Sequence, residues 1–156
     1  IFNSSGSIRY EASGVIKTTN QDTNLASRIK IILLGLEEVI HQFKPDCVAI
    51  EKVFVNTNPQ STLLLGQARG AAISAAVIQN LDVYEYTALQ VKKSVVGMGH
   101  ASKSQVQIMV QKLLNLPSIP SSDSADALAC SICHANISGS IAKFGTGNRM
   151  KSGRII

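Results

Sequence analysis

The 156-residue chain contains no Trp, only four Phe and three Tyr, and only three Cys and four Pro. With so few aromatic rings, the core has to be built from aliphatic and small side chains. Three thiols cannot close a disulfide framework, and their odd number points to reduced cysteines. Acidic residues are also sparse: ten Asp and Glu against fifteen Lys and Arg give a net charge of +5 and a pI near 9.3. This balance argues against acidic solvating chains and favours an anionic partner such as nucleic acid or anionic lipid. Long apolar runs are lacking as well. Thr62–Ala68 is far shorter than the roughly 20 residues a membrane span needs, and Gly70–Leu81 is interrupted by Ser74, Gln79 and Asn80. The opening residues Ile1–Gly6 carry neither a basic nor an apolar signal region, so a cytoplasmic protein without a membrane segment is expected. No Walker-type or dinucleotide-binding glycine motif is present.

Hydrophobic residues make up 45% and charged residues 16% of the chain, with a mean hydropathy of +0.16. That composition excludes a disordered polymer and fits a folded domain large enough to bury a core without staples. Residues 1–138 read as that domain. Residues 139–156 read as a flexible tail carrying Lys143, Arg149, Lys151 and Arg154 and no acid.

Ile1-Phe2, the turn cluster Asn3-Ser4-Ser5-Gly6 and Ser7–Tyr10 predict a hairpin with a very short first strand. Leu25, Ile29, Ile32, Leu33, Leu36, Ile40 and Phe43 are spaced for an amphipathic helix, capped by Thr23 or Asn24 and stopped by Pro45. Cys47–Ile50 reads as a buried strand ending at Glu51. The carboxyl end of such a strand is where open α/β sheets place ligands. A polar loop holding Phe54 leads to a helix from about Thr62 to Gln79, capped by Ser61 and crowded with Gly66, Ala68, Gly70, Ala71, Ala72 and Ala75. Such a helix can pack closely on a sheet or sit in a dimer interface. Val83–Tyr86 reads as a strand, Leu89–Val96 as a helix broken at Gly97, and Lys103–Leu116 as a helix capped by Ser102. Ser121 or Ser122 opens a last helix to about Ile137. Strand–helix alternation of this kind implies an α/β fold with a mixed sheet.

The chemistry concentrates in Ser121-Ser122-Asp123-Ser124-Ala125-Asp126-Ala127-Leu128. Asp123 and Asp126, three apart, share one face of the first helical turn. They either complement the helix dipole there or hold a hard divalent cation, with Glu51 as a third carboxylate. Two ions roughly 3.5–4 Å apart would suit phosphodiester hydrolysis. Cys130-Ser131-Ile132-Cys133-His134 has the C-x-x-C-H form. Its place inside a helix argues for buried structural thiols rather than haem, zinc or a redox pair. Phe54 can anchor its loop or stack on an unpaired base. Lys92, Lys93 and Lys103 are either solvated charges or phosphate neutralisers.

Five blocks occur in an order that resembles RuvC, the bacterial crossover junction endodeoxyribonuclease family: Ala49–Phe54, Leu65–Gly70, Gln90–Gly97, Lys103–Gln107 and Asp123–Ala129. The resemblance covers roughly Ile1 to Ile137. It implies a ribonuclease-H-like fold, a mixed β-sheet flanked by helices, and a homodimer that binds four-way (Holliday) junction DNA. It also implies paired symmetric nicks with Mg²⁺, two ions per site with Mn²⁺ able to substitute, alongside the RuvA–RuvB branch-migration machine. Glu51, Asp123 and Asp126 match three of the family's four catalytic and metal-binding acids. Phe54 matches its base-stacking aromatic. Lys92, Lys93, Lys103 and Arg69 match DNA-contacting positions, and the small-residue helix matches the dimer helix. The family's opening strand, G-[IL]-D-P-G, carries the first acid and has no counterpart in these residues. Neither Asp22, in the loop before the first helix, nor Asp46, at the opposite end of the Glu51 strand, can replace it. That strand is expected to precede Ile1. Without it the resemblance implies a junction-binding dimer or fragment that does not cut.

Overall fold

The computed structural model describes residues 1–4, 7–18, 24–52 and 58–145. The chain forms two compact units, Gly14–Thr87 and Ile1–Ser13 with Ala88–Ile156.

In the first unit, α1 (Leu25–Phe43) opens on Asn24, whose side chain accepts from the Ser27 N–H at 2.8 Å, and closes on Lys44 in the left-handed conformation. Gly35 lets α1 approach Ile16 closely; a Cβ there would lie 3.0 Å from the Ile16 side chain. β3 (Cys47–Glu51) and β4 (Asp82–Tyr86) pair in parallel, with Ile50 opposite Glu85 and Glu51 opposite Tyr86. Between them runs α2 (Pro59–Ile78). It starts three residues before the expected Thr62, because Asn58 rather than Ser61 is the cap. Asn58 Oδ1 accepts from the N–H groups of Gln60 and Ser61. Pro59 suits the first helical position, where its missing N–H would have had no partner.

The inner face of α2 buries Ala71, Ala75 and Ala76, and the helix packs on α1 and β4. Its other face is open. Leu63, Gly66, Gly70, Ser74 and Val77 form an exposed stripe at helical spacing, and nothing lies within 4 Å of a Cβ added at Gly66 or Gly70. The alanines therefore serve packing inside the unit and the glycines do not. By length and composition α2 is the one helix among the described residues that could cross a membrane. Arg69 at mid-helix would be costly in a bilayer, and it is engaged within the unit instead.

In the second unit, β1 (Phe2–Ser4) and β2 (Ser7–Arg9) form an antiparallel hairpin with Ser4 opposite Ser7. Asn3 and Ser4, expected in the turn, belong to the strand. Among the described residues parallel and antiparallel pairing are thus both present, as two two-stranded sheets. The Asn3 Nδ2 donates to the Ala135 carbonyl at 3.3 Å and fastens the hairpin to α5 (Ser122–Gly145). α3 (Ala88–Val96) ends at Gly97, whose φ of +82° suits only glycine well. α4 (Lys103–Leu113) opens with a capping box: Ser102 Oγ accepts from the Gln105 N–H, and Gln105 Oε1 accepts from the Ser102 N–H. It ends before the expected Leu116, because Asn115 turns to a positive φ and the Leu116 N–H bonds back to the Gln111 carbonyl.

α5 begins where expected, with Ser121 Oγ accepting from the Ser124 N–H. It continues to Gly145, past the anticipated end at Ile137 and through Gly139. Val91, Val95, Val106, Val110 and Leu114 close on Ala125, Leu128, Ala129, Ile132 and Cys133 to make an aliphatic core, with no buried aromatic ring among the described residues of this unit.

Candidate active site

Two devices present the three acids, a strand end and a helix start. Glu51 is the last residue of β3, and its side chain is exposed where the strand leaves the sheet. The Lys52 N–H makes a further ladder bond to the Tyr86 carbonyl at 2.8 Å, so the backbone around Glu51 is held on the β4 side. The same carbonyl end receives Arg69 from α2: its Nε donates to the Glu51 oxygen at 3.2 Å, and its Nη2 pairs with the Glu85 carboxylate. Glu85 was not singled out from the sequence. The parallel register of β3 and β4 sets it opposite Ile50, one residue before the Tyr86 that pairs with Glu51.

Asp123 and Asp126 lie in the other unit, at the start of α5. Both are exposed, while Ala125, Leu128 and Ala129 are buried. The alternation within Asp123–Ala129 therefore turns small and apolar residues inward and both carboxylates outward. Among the described residues no hydrogen bond or ion pair engages Asp123 or Asp126. The Gln107 Nε2 donates to the Pro120 carbonyl at 3.0 Å and ties α4 to the segment that delivers α5. Lys92 is half-buried and Lys93 exposed on α3, and Lys103 is exposed as the first residue of α4. Phe54 lies outside the described residues.

Among the described residues of either unit, no three His, Cys, Asp or Glu side chains gather into a ready-made metal cluster. The donors themselves suit a hard divalent cation, being carboxylate oxygens held at the surface. The C-x-x-C-H segment is structural, as expected for thiols inside a helix. Cys130 and Cys133 are buried, and neither is in a disulfide among the described residues. Burial raises the Cys133 thiol above its ordinary range, against a smaller opposing effect of a hydrogen bond with Ser94. Burial likewise lowers the His134 imidazole. At the far end of β3, burial raises the Cys47 thiol, and the carboxylates of Asp46 and Asp82 add to the effect. Each of these shifts favours the neutral form.

Two solved structures share this architecture. A Thermus thermophilus RuvC structure aligns over 90% of this chain and 82% of its own, with TM-score 0.75 and 35% identity. T. thermophilus RuvC in complex with a Holliday junction substrate aligns over 94% and 86%, with TM-score 0.81 and 34% identity. The class is therefore the ribonuclease-H-like α/β fold. The family model for the crossover junction endodeoxyribonuclease RuvC matches residues 1–134. Curated RuvC proteins from Methylobacillus flagellatus and Azoarcus sp. are 62% and 59% identical, each over 96% of this chain and over 86% and 81% of their own lengths. This chain belongs to the RuvC family, whose nucleases are metal-dependent.

Proposed function

We propose that this protein resolves Holliday junctions as a structure-selective DNA endonuclease that makes paired, symmetric nicks. The observation that carries the reading is the Asp123–Ala129 turn. Within the family match it turns two carboxylates outward on a helix whose other face is buried. Glu51, Asp123 and Asp126 would hold Mg²⁺, as two ions per site with Mn²⁺ able to substitute. Bound there, the metal would supply Lewis-acid stabilisation of the phosphodiester oxygens and a more acidic water. The protein's own part is to fix the carboxylates, neutralise phosphates with Lys92, Lys93 and Lys103, and stack Phe54 on a base opened at the junction point. Such a stack is worth about 1–3 kcal/mol.

Two copies are needed for paired nicks, and the open stripe of α2 is the surface that would seat the second. Leu63 and Val77, 62% and 57% exposed, flank the small residues Gly66, Gly70 and Ser74, so a second helix could approach the backbone closely. Partnership with RuvA–RuvB and a cytoplasmic setting complete the proposal. Cysteines that form no disulfide among the described residues fit a reducing compartment.

Binding tests the proposal directly. In EDTA the protein is expected to hold a synthetic four-way junction far more tightly than linear duplex of the same sequence. Two copies of Lys92, Lys93 and Lys103 would neutralise on the order of six phosphates. The affinity should then fall roughly 10³-fold between about 50 and 200 mM salt. Equal affinity for duplex and junction, or affinity independent of salt, would contradict the reading.

A further inference from the structure

We infer that Arg69 is a positioning residue for Glu51, holding the metal-binding end of β3 in place rather than contacting DNA as the family resemblance implies. The inference rests on Glu51 being a metal ligand. All the parts lie within the Gly14–Thr87 unit. Arg69 sits at mid-length of α2, and its side chain is only 23% exposed, whereas the glycine stripe of the same helix is open. Its Nε donates to the Glu51 carbonyl at 3.2 Å, and its Nη2 pairs with Glu85. Glu85 is one residue before Tyr86, the register partner of Glu51.

The guanidinium therefore spans the last rung of the parallel ladder, with one donor on each strand. A planar fork with two fixed donors sets direction as well as distance. At this point β3 leaves the sheet: the Lys52 N–H bond to the Tyr86 carbonyl ties its backbone to β4, and Arg69 adds a hold on the Glu51 carbonyl itself. The carbonyl contact fixes the backbone that carries the Glu51 side chain. The ion pair in turn fixes the guanidinium. Arg69 thus acts through Glu51, and Glu85 acts through Arg69.

A lysine separates this role from a phosphate contact, since an ammonium can neutralise a phosphate but cannot reproduce the two-armed fork. The experiment compares wild type, R69K, R69Q, E85Q and the R69Q/E85Q double variant. Single-turnover junction cutting, junction binding in EDTA, Mn²⁺ affinity of the free protein by calorimetry, and thermal melting are read for each. R69Q and R69K are expected to cut about 10–100-fold more slowly and to bind Mn²⁺ correspondingly more weakly, as when partners of metal ligands are lost. Junction affinity in EDTA should stay near wild type. E85Q should show the same defect, more weakly, and the double variant should be no worse than R69Q alone, because the residues act as one unit.

Mn²⁺ affinity unchanged in both R69Q and E85Q would overturn the inference, whether or not the wild type cuts junctions. Wild-type cutting by R69K, together with lost binding and a shallower salt slope in R69Q, would also overturn it and assign a phosphate contact. Should R69Q melt early, E85Q decides, since it leaves the Arg69 side chain in place. Failure of wild type to cut junctions would instead count against the resolvase reading, and the Mn²⁺ arm would still decide the role of Arg69.

Discussion

Asp126→Asn is expected to abolish junction cutting while leaving junction binding intact. The substitution keeps the shape of the side chain, and Asp126 is exposed, with no hydrogen bond or ion pair among the described residues, so the fold loses almost nothing. A helix-dipole contribution of about 0.3–1 kcal/mol is the only folding term at stake. The site loses one full negative charge and an oxygen ligand suited to a hard cation. Cutting should slow at least about 100-fold, which corresponds to roughly 3 kcal/mol of barrier. Affinity for the junction in EDTA should stay level or rise slightly, because a negative charge near phosphates is gone. Single-turnover cutting and gel-shift binding on one preparation give both numbers. Cutting at the native rate would remove Asp126 from the metal-binding set. Loss of binding as well would show that its role is not confined to the metal.

Ile132→Ala should have the largest effect on stability. Ile132 is 0% exposed, next to Cys133 in the stretch of α5 that packs on α3 and α4. With no aromatic ring among the buried side chains described for this unit, the space opened by removing three carbons has few large described neighbours able to fill it. The expected loss is about 2–5 kcal/mol. For a chain of this size that is a fall in Tm of roughly 4–20 °C. Ile132→Val, which removes one methyl, should cost about 0.5–1.5 kcal/mol. Thermal melts of the two variants beside wild type check the order. An unchanged Tm for Ile132→Ala would contradict the packing described for α5, and with it the rigid base on which Asp123 and Asp126 stand.

Local signals carried much of this far. The Leu25–Phe43 helix was legible end to end, because its apolar spacing, Asn24 and Pro45 all act within a few residues of the boundary. The outward pair Asp123 and Asp126 was legible for the same reason: a spacing of three in a first turn decides the face. Boundaries failed where a local rule had two outcomes. Asn58-Pro59 reads equally as a loop or as a cap with proline at the first helical position, and the structure takes the second. Gly139 reads as a break, yet a glycine costs a helix only about 1 kcal/mol, and α5 runs through it. The glycines of α2 allowed two readings from the sequence, close packing on the sheet or a dimer interface. They face open space, because which side of a helix meets the sheet is a tertiary fact. The same limit hid Glu85, whose approach to Arg69 and Glu51 depends on a parallel register between strands about thirty residues apart.

The most direct test of the account is cutting by the full chain of a synthetic four-way junction, with linear duplex of the same sequence as the companion substrate, in Mg²⁺ and in EDTA. The account predicts paired nicks at symmetric positions in opposing strands of the junction, with ligatable ends, none in the duplex, and none without the metal. Equal cutting of duplex and junction, or cutting that persists in EDTA, would contradict it.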